Sequence, residues 1–406
     1  MNTGRKLTLA LAAVAVMGLA SGSALAEKKY GPGVTDTSIK IGNTDPYSGP
    51  AAAYGLIGKT IAAYFDKINK EEGGVNGRKI DFISLDDGYS PPKTKEQTRK
   101  LVEQDKVLLV FQGLGTPTQS AVHAYMNHKK VPQLFVATGA SKWAQPKKFP
   151  WTMGWQPSYQ TEGHLFAKYV LANVKDPKIA ILYQNDDYGK DYVKGMRDEL
   201  GDKADKLIVA EESYEVTDPT INSQVIKLKD SGANVFFNVS TPKAAAQAIK
   251  KVRELNWDPL FLNNSVSNSV GSVYKPAGLD NSKGIVSLQY YKDTTDPSIQ
   301  GTEAFKKWKK FMDTYFPNGD QSSSFTTFGY LVAQTMVQVL KQCGDDLSRE
   351  NIMKQAANLD MHPDMMLDGV DIKTSPTDFF PIESMQPIKF DGEKFVPIGD
   401  VIKGGS

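Results

Sequence analysis

The chain has 406 residues, of which 40% are hydrophobic, 23% charged and 10% aromatic, a composition that builds more than one hydrophobic core and excludes disorder or a fibrous repeat as the main state. Its 48 basic and 46 acidic side chains leave a formal charge of +2 with no run of like charge, which excludes the electrostatic footprint of a nucleic-acid binder. A single cysteine, Cys343, excludes an intramolecular disulfide framework.

The first element is a leader. Arg5 and Lys6 precede an apolar run from Leu7 to Leu19, and Ala24-Leu25-Ala26 follows it, the charged, apolar, small-residue order of a secretory signal over residues 1–26. Cleavage is expected after Ala26, and the run is too short to span a bilayer comfortably. Losing Arg5 and Lys6 brings the basic groups level with the 46 acidic ones, so the mature chain is formally neutral and steers a charged ligand only weakly. No cysteine stands beside the cleavage site to carry a lipid, and no later stretch reaches the ~18 uninterrupted apolar residues of a membrane helix. A monomer diffusing freely in a bacterial periplasm is expected.

Strand Ile39 to Ile41 and a helix through Ile61, Phe65 and Ile68, spaced four and three apart, form a βα unit. The glycine-rich stretch from Gly73 to Gly77 ends that helix, Ile80 to Leu85 is the next strand, and Pro91-Pro92 start a helix to about Gln104. Strand Val107 to Phe111, helix Thr116 to Asn127 and strand Gln133 to Val136 follow. Apolar strands separated by amphipathic helices imply a parallel sheet covered on both faces.

Pro146, Pro150 and Pro157 interrupt the pattern between Ser141 and Pro157, and the passage between two halves is placed there. A helix from Ser158 to about Asn173 opens a second set of strands: Lys178 to Tyr183, Leu207 to Ala210, Asn234 to Asn238, Leu260 to Leu262 and Gly284 to Leu288. Helices lie between them, with core positions such as Ile221, Val225 and Leu228 at helical spacing. After Tyr290-Tyr291 come helices near Glu303 to Tyr315, Thr326 to Gln342 and Arg349 to Asn358, then a hairpin around Asp391-Gly392. Cys343 follows an apolar helical stretch and reads as a packing residue at a helix end. The fold class is α/β, with two Rossmann-like lobes and several crossings. Lobe one takes residues 27–150 and part of 290–406; lobe two takes 151–289 and the rest of the tail.

No G-x-S-x-G elbow, H-E-x-x-H, complete P-loop or paired C-x-x-C occurs. His123, His128, His164 and His362 are too scattered to compose a metal site by spacing. Neither catalysis nor a metal nor a cofactor is expected. The informative residues sit where strands end, because open α/β sheets bind ligands outside the carboxyl ends of their strands. Asp45 to Pro50 with Tyr54 follow the first strand, Gly113 to Thr118 the third, and Ala137 to Ser141 the fourth. Glycines there let a backbone approach a ligand, and amide N–H groups with hydroxyls at a helix start favour an anionic head group. Gly113 and Gly115 begin like a dinucleotide fingerprint, but Thr118 stands where the third glycine belongs and the loop follows strand three, which argues against a nucleotide.

Asp45-Pro46-Tyr47-Ser48-Gly49, Gly73-Gly74-Val75-Asn76-Gly77-Arg78, Asp86-Asp87-Gly88-Tyr89-Ser90-Pro91 and Gln184-Asn185-Asp186-Asp187-Tyr188-Gly189 resemble, in order and spacing, the periplasmic binding proteins of the branched-chain amino-acid type. The resemblance covers essentially the whole mature chain. It implies the type I fold, two lobes joined by three crossings and closing on a small solute, and an inner-membrane ABC permease as partner. It also implies that Tyr54 packs on the ligand, that Gly115-Thr116 and Ala137-Thr138-Gly139 hold its carboxylate, and that Tyr188 covers it from lobe two. Further second-lobe contacts are implied near Ser240 and Ser265.

In amino-acid binders of that family an acidic residue after the strand ending at Leu262 pairs with the ammonium, whereas this chain reads Asn263-Asn264-Ser265. A buried ammonium without a carboxylate is costly. The expected solute is therefore a carboxylate or amide without a zwitterionic head, such as an aromatic or short-chain organic acid, unless Asp187 turns inward and admits a branched-chain amino acid. A sensory subunit that reports ligand to a membrane receptor, and an exported hydrolase of small amides or esters, are the competing functions.

Overall fold

The computed structural model describes residues 28–404, and the expected leader, residues 1–26, lies outside them. In the first of two large sheets, β1 (Ser38–Asp45), β2 (Lys79–Asp86), β3 (Leu109–Phe111), β4 (Gln133–Val136) and β5 (Thr152–Gly154) run parallel in the order β2-β1-β3-β4-β5. Strands β3 and β4 are buried throughout, as apolar runs in a parallel sheet covered on both faces must be. The crossovers are α1 (Gly55–Glu71), α2 (Pro91–Arg99) and α3 (Thr116–His128). Helix α1 turns Ile57, Ile61, Phe65 and Ile68 inward at helical spacing. Pro91 and Pro92 occupy the first turn of α2, where a missing N–H costs nothing, and a wider π-type stretch carries the chain on to Gln104.

Strand β5 lies in the proline-interrupted stretch, where the sequence pattern shows no strand. It pairs only with β4, at the sheet's edge, with Pro150 and Pro157 outside its ends. Prolines there remove no ladder hydrogen bond. The chain leaves the first sheet only after Gly154.

The second sheet comprises β6 (Ile179–Gln184), β7 (Ile208–Tyr214), β8 (Val235–Val239), β9 (Leu260–Asn263), β10 (Val286–Gln289), β11 (Ser384–Phe390) and β12 (Phe395–Pro397), in the order β12-β11-β10-β9-β8-β6-β7, with the short strand Ile402–Lys403 pairing on β11 beside that path. The strands from β10 to β7 are parallel, and the terminal hairpin β11–β12 adds antiparallel. The Asp391 carboxylate closes the hairpin turn by accepting from the amides of Glu393 and Lys394. Helices α4 (Tyr159–Asn173) and α5 (Asp187–Leu200) pack together beside this sheet, and α6 (Asn222–Asp230) and α7 (Pro242–Glu254) complete its crossovers.

After β10 the chain turns back. Helices α8 (Glu303–Tyr315) and α9 (Ser324–Cys343) pack on α1, and α10 (Arg349–Ala356) packs on α9. The α1–α9 crossing is close because Gly329 sits against Thr60 and the Ile57 carbonyl. Three passages thus connect the two layers: one after β5, one after β10 and one before β11. Cys343 is the buried last residue of α9, and burial pushes its thiol up to about 12, which leaves it an inert packing group. Among the described residues no helix is long and apolar enough to cross a membrane, and no group of three or more His, Cys, Asp or Glu is placed to hold a metal ion.

Candidate functional site

The loops at the carboxyl ends of both sheets enclose a cavity, the place where open α/β sheets bind their ligands. From the first sheet come Tyr54 after β1, Tyr89 after β2, Gly115 and Thr116 after β3, and Ala137 after β4. The second sheet contributes Tyr188 after β6, Thr241 after β8, Ser265 after β9, and Tyr290 with Tyr291 after β10. Phe325 and Phe328 on α9 close one side. Among the described residues, six tyrosines and two phenylalanines line the space, and no lining side chain carries a charge.

The first-sheet wall offers donors. Gly115, at φ +100, is the N-cap of α3, and a Cβ there would meet the Tyr89 ring at 2.5 Å, so only glycine lets the backbone run beside the cavity. The first turn of α3 then presents amide N–H groups without intrahelical acceptors. Thr116 Oγ1 lies 2.5 Å from Thr138 Oγ1, which also accepts from Ala140 N and Trp143 Nε1, each at 3.2 Å. With both lone pairs of Thr138 engaged, its proton goes to Thr116. The Thr116 hydroxyl is left to donate into the cavity.

On the opposite wall, the Tyr188 hydroxyl is buried, lines the cavity and has no hydrogen-bond partner among the described residues. Its ring stands edge-on to Tyr159 and Tyr192 at 5.2 and 5.6 Å. The carboxylates nearest this wall lie behind it. Asp186 caps α5 by accepting from the amides of Tyr188 and Gly189, and Glu162 accepts from Ser265 N, Ser265 Oγ and Tyr192 OH. Burial pushes Asp186 up from the usual carboxylate range and Glu162 up to about 7. Tyr54 OH donates to Val266 O at 3.1 Å across the cleft, a contact between the two layers.

Of the residues singled out from sequence, Tyr54, Gly115, Thr116, Ala137, Tyr188 and Ser265 line the cavity. Thr138, Gly139 and Ser240 do not. Thr138 stands one layer back, orienting Thr116. Gly139 is pressed so close to the passage after β5 that a Cβ would lie 2.2 Å from Pro157 O, and its carbonyl accepts from Tyr159 N. Ser240 Oγ donates to Asn238 Oδ1 at 2.7 Å, and the next residue, Thr241, reaches the cavity instead. Asp187 does not turn inward: it pairs with Lys142 at the rim. Asn263 and Asn264 brace the loop that carries Ser265 by donating to Ser267 O, Asn238 O and Ser240 O. The polar residues of the loop after β1 turn to Asp86 and Ser84 rather than to the cavity. Sequence reasoning missed Tyr89, Gln156, Tyr159, Tyr290, Tyr291, Phe325 and Phe328. Tyr89 and the Tyr290-Tyr291 pair carry the same strand-end signal that pointed to Tyr54.

A family model described as periplasmic binding protein matches residues 38–394. The Leu/Ile/Val-binding protein homolog 1 of Brucella suis is 27% identical over 344 residues, covering 82% of this chain and 86% of that protein. A branched-chain amino acid ABC transporter protein from Thermus thermophilus, solved with bound valine, superposes with a TM-score of 0.81 at 16% identity, covering 91% of this chain and 97% of the other. A solute binding protein of an ABC transporter from Rhodopseudomonas palustris, in complex with 3,4-dihydroxybenzoic acid, gives 0.75 at 19% identity over 92% of this chain and 99% of the other.

Proposed function

The chain belongs to the periplasmic binding protein family, in its Leu/Ile/Val-binding type, and from that premise we propose that it is the solute-binding component of an ABC importer whose solute is an aromatic carboxylate without an ammonium group. The observation that carries this reading is a cavity walled by eight aromatic rings, free of charged side chains, with an oriented hydroxyl donor at Thr116. Aromatic walls favour a planar apolar body. A carboxylate finds the Thr116 hydroxyl and the amides at the start of α3, which favour negative charge. An ammonium finds no carboxylate to pair with, because the acceptors of Glu162 and Asp186 are already engaged behind the wall. One structural neighbour holds valine and another an aromatic acid, so the fold leaves the choice open and the cavity's chemistry supports the aromatic acid.

The layers act as two lobes, one built on the first sheet with α8 to α10, the other on the second sheet. They hinge at the three passages and close because a solute touching both gains contacts only in the closed state. The closed form is then presented to the permease. Titration calorimetry on the mature chain tests the solute class. Benzoate is expected to bind, and leucine and valine to give no heat. Binding of leucine or valine with no response to any aromatic acid would overturn the reading. Mass spectrometry of the recovered ligand separates carriage from hydrolysis: an importer component returns it unaltered.

A further inference from the structure

Glu162, in the first turn of α4, is 1% exposed and does not itself line the cavity. Its Oε1 accepts from Ser265 N at 2.6 Å, and its Oε2 accepts from Ser265 Oγ at 2.7 Å and Tyr192 OH at 2.8 Å. An ionised carboxylate can only accept, so the Ser265 hydroxyl proton points at Glu162 and away from the solute. Ser265, which does line the cavity, shows the solute lone pairs alone. The polarity is the reverse of that at Thr116, whose hydroxyl receives from Thr138 and donates inward. One wall gives a hydrogen and the other asks for one. A plain aromatic carboxylate answers the first and leaves the second unmet.

We infer that the solute carries, besides its carboxylate, a hydrogen-bond donor on the ring, a phenolic hydroxyl received by Ser265, and that Glu162 is the positioning residue that fixes this polarity. The inference rests on the aromatic-carboxylate reading above and narrows it to hydroxylated aromatic acids. Among the described residues, burial and the hydrogen bonds from Ser265 and Tyr192 set Glu162's environment, with no charged side chain acting on it. The titratable groups around it, Tyr192, Tyr159, Tyr290 and Tyr291, are all held un-ionised by burial. Burial also pushes Glu162 up to about 7, so the ionised form predominates at pH 8 and gives way at pH 6. In Glu162→Gln the amide oxygen must face Ser265 N, which turns the amide nitrogen toward Ser265 Oγ. The serine then accepts from residue 162, and its own proton rotates into the cavity.

The test is calorimetry on the mature chain at pH 8 with benzoate, 3- and 4-hydroxybenzoate, and the corresponding fluorobenzoates, which are close in size and cannot donate. One hydroxybenzoate is expected to bind ~10-fold or more tightly than both benzoate and its fluoro analogue. That ratio is expected to shrink at pH 6 in the wild type, and to be small and independent of pH in Glu162→Gln. The pH series on the unaltered chain stands even if the variant folds poorly. Equal affinity for benzoate, hydroxybenzoates and fluorobenzoates overturns the inference while leaving the aromatic-carboxylate reading intact. A Glu162→Gln variant that weakens every ligand alike overturns the positioning role. Binding of leucine or valine with none of the benzoates removes the reading on which the inference stands, and the inference with it.

Discussion

Asp186 and Asp187 are consecutive, yet one serves the interior of the cleft and the other its rim. Asp186 is largely withdrawn from solvent, and both its oxygens are spent on the start of α5 and on Gln184, which fixes Tyr188 against the cavity. Asp187 is about half exposed and reaches across to Lys142. Beside it Asp191 accepts from Ser141 N at 2.7 Å and Gln160 Nε2 at 2.8 Å. The interior is aromatic and charge-free, and the rim is polar and ionic. Discrimination among solutes is set where water is excluded and an unmatched polar group is costly; the rim, open to solvent, can only bias closure.

The sharpest way to break that contrast is to remove a ring from the interior. Tyr188→Ala deletes a side chain that is 2% exposed and packed on Tyr159 and Tyr192. Truncating a buried aromatic of this kind costs ~3–5 kcal/mol of stability, and affinity for the solute should fall ~100-fold or more. Thermal unfolding and calorimetry read the two effects. Tyr188→Phe separates them: the hydroxyl has no partner within the protein, so its loss should leave the melting temperature unchanged or slightly raised while affinity drops ~10-fold, about 1.4 kcal/mol. Affinity unchanged in Tyr188→Phe would remove that hydroxyl from the solute's contacts.

Behind the cavity lining, buried carboxyls give the molecule a second signature. Burial raises Glu162 to about 7 and Asp87 to about 6, and lifts Asp45, whose oxygens have no partner, well above its usual range. Each such group holds its proton more firmly folded than unfolded. Stability therefore rises as pH falls through the folded values towards the ordinary carboxylate range. His123, packed between Trp143 and Phe149 and lowered to about 4, opposes this below ~6.5, because the folded state resists its protonation. Asp86, held well below the usual range by Ser48 and Lys93, contributes stability that is lost only under more acid conditions. Asp186, Asp293 and Glu383 are raised by burial as well, so the raised carboxyls outweigh the one lowered histidine, and the melting temperature should climb from pH 8 into the ordinary carboxylate range, about pH 4.5, and fall only below it. Glu162→Gln should flatten the upper part of the climb. A melting temperature that declines steadily from pH 8 downwards would contradict this.

The same contrast explains how much could be read from the chain itself. Strand-end loops with glycine, threonine and tyrosine are local signals, and they led to Tyr54, Gly115, Thr116 and Ala137, whereas Tyr188 and Ser265 came only from the family resemblance. Phe325 and Phe328 belong to a helix that reaches the cavity only because α9 packs back on α1, and nothing in its apolar pattern distinguishes a cavity wall from ordinary core. Glu162 falls in a predicted helix with no local signal of its own; its carboxylate is satisfied by Ser265, more than a hundred residues away, arriving with two donors. Strand β5 was hidden by its flanking prolines, which matter little at an edge. Periodicity reports which face of an element is apolar, whereas the second layer of a polar site is assembled from segments distant in sequence.

At the rim the expected effects are the smallest. Asp187→Asn removes the partner of Lys142 and leaves the interior untouched. Both side chains retain solvent contact, so the pair contributes less than ~1 kcal/mol and the affinity loss should stay below ~5-fold. Added salt should weaken the wild type slightly and the variant less, since screening acts on the charge that the variant lacks. Asp191→Ala should cost more than Asp187→Asn, because it strips the acceptor from a backbone amide as well as from Gln160. If Asp187→Asn instead cost as much as Tyr188→Phe, the closed state would owe its stability to an ionic latch, and the solute's own fit to the aromatic walls would no longer account for the affinity.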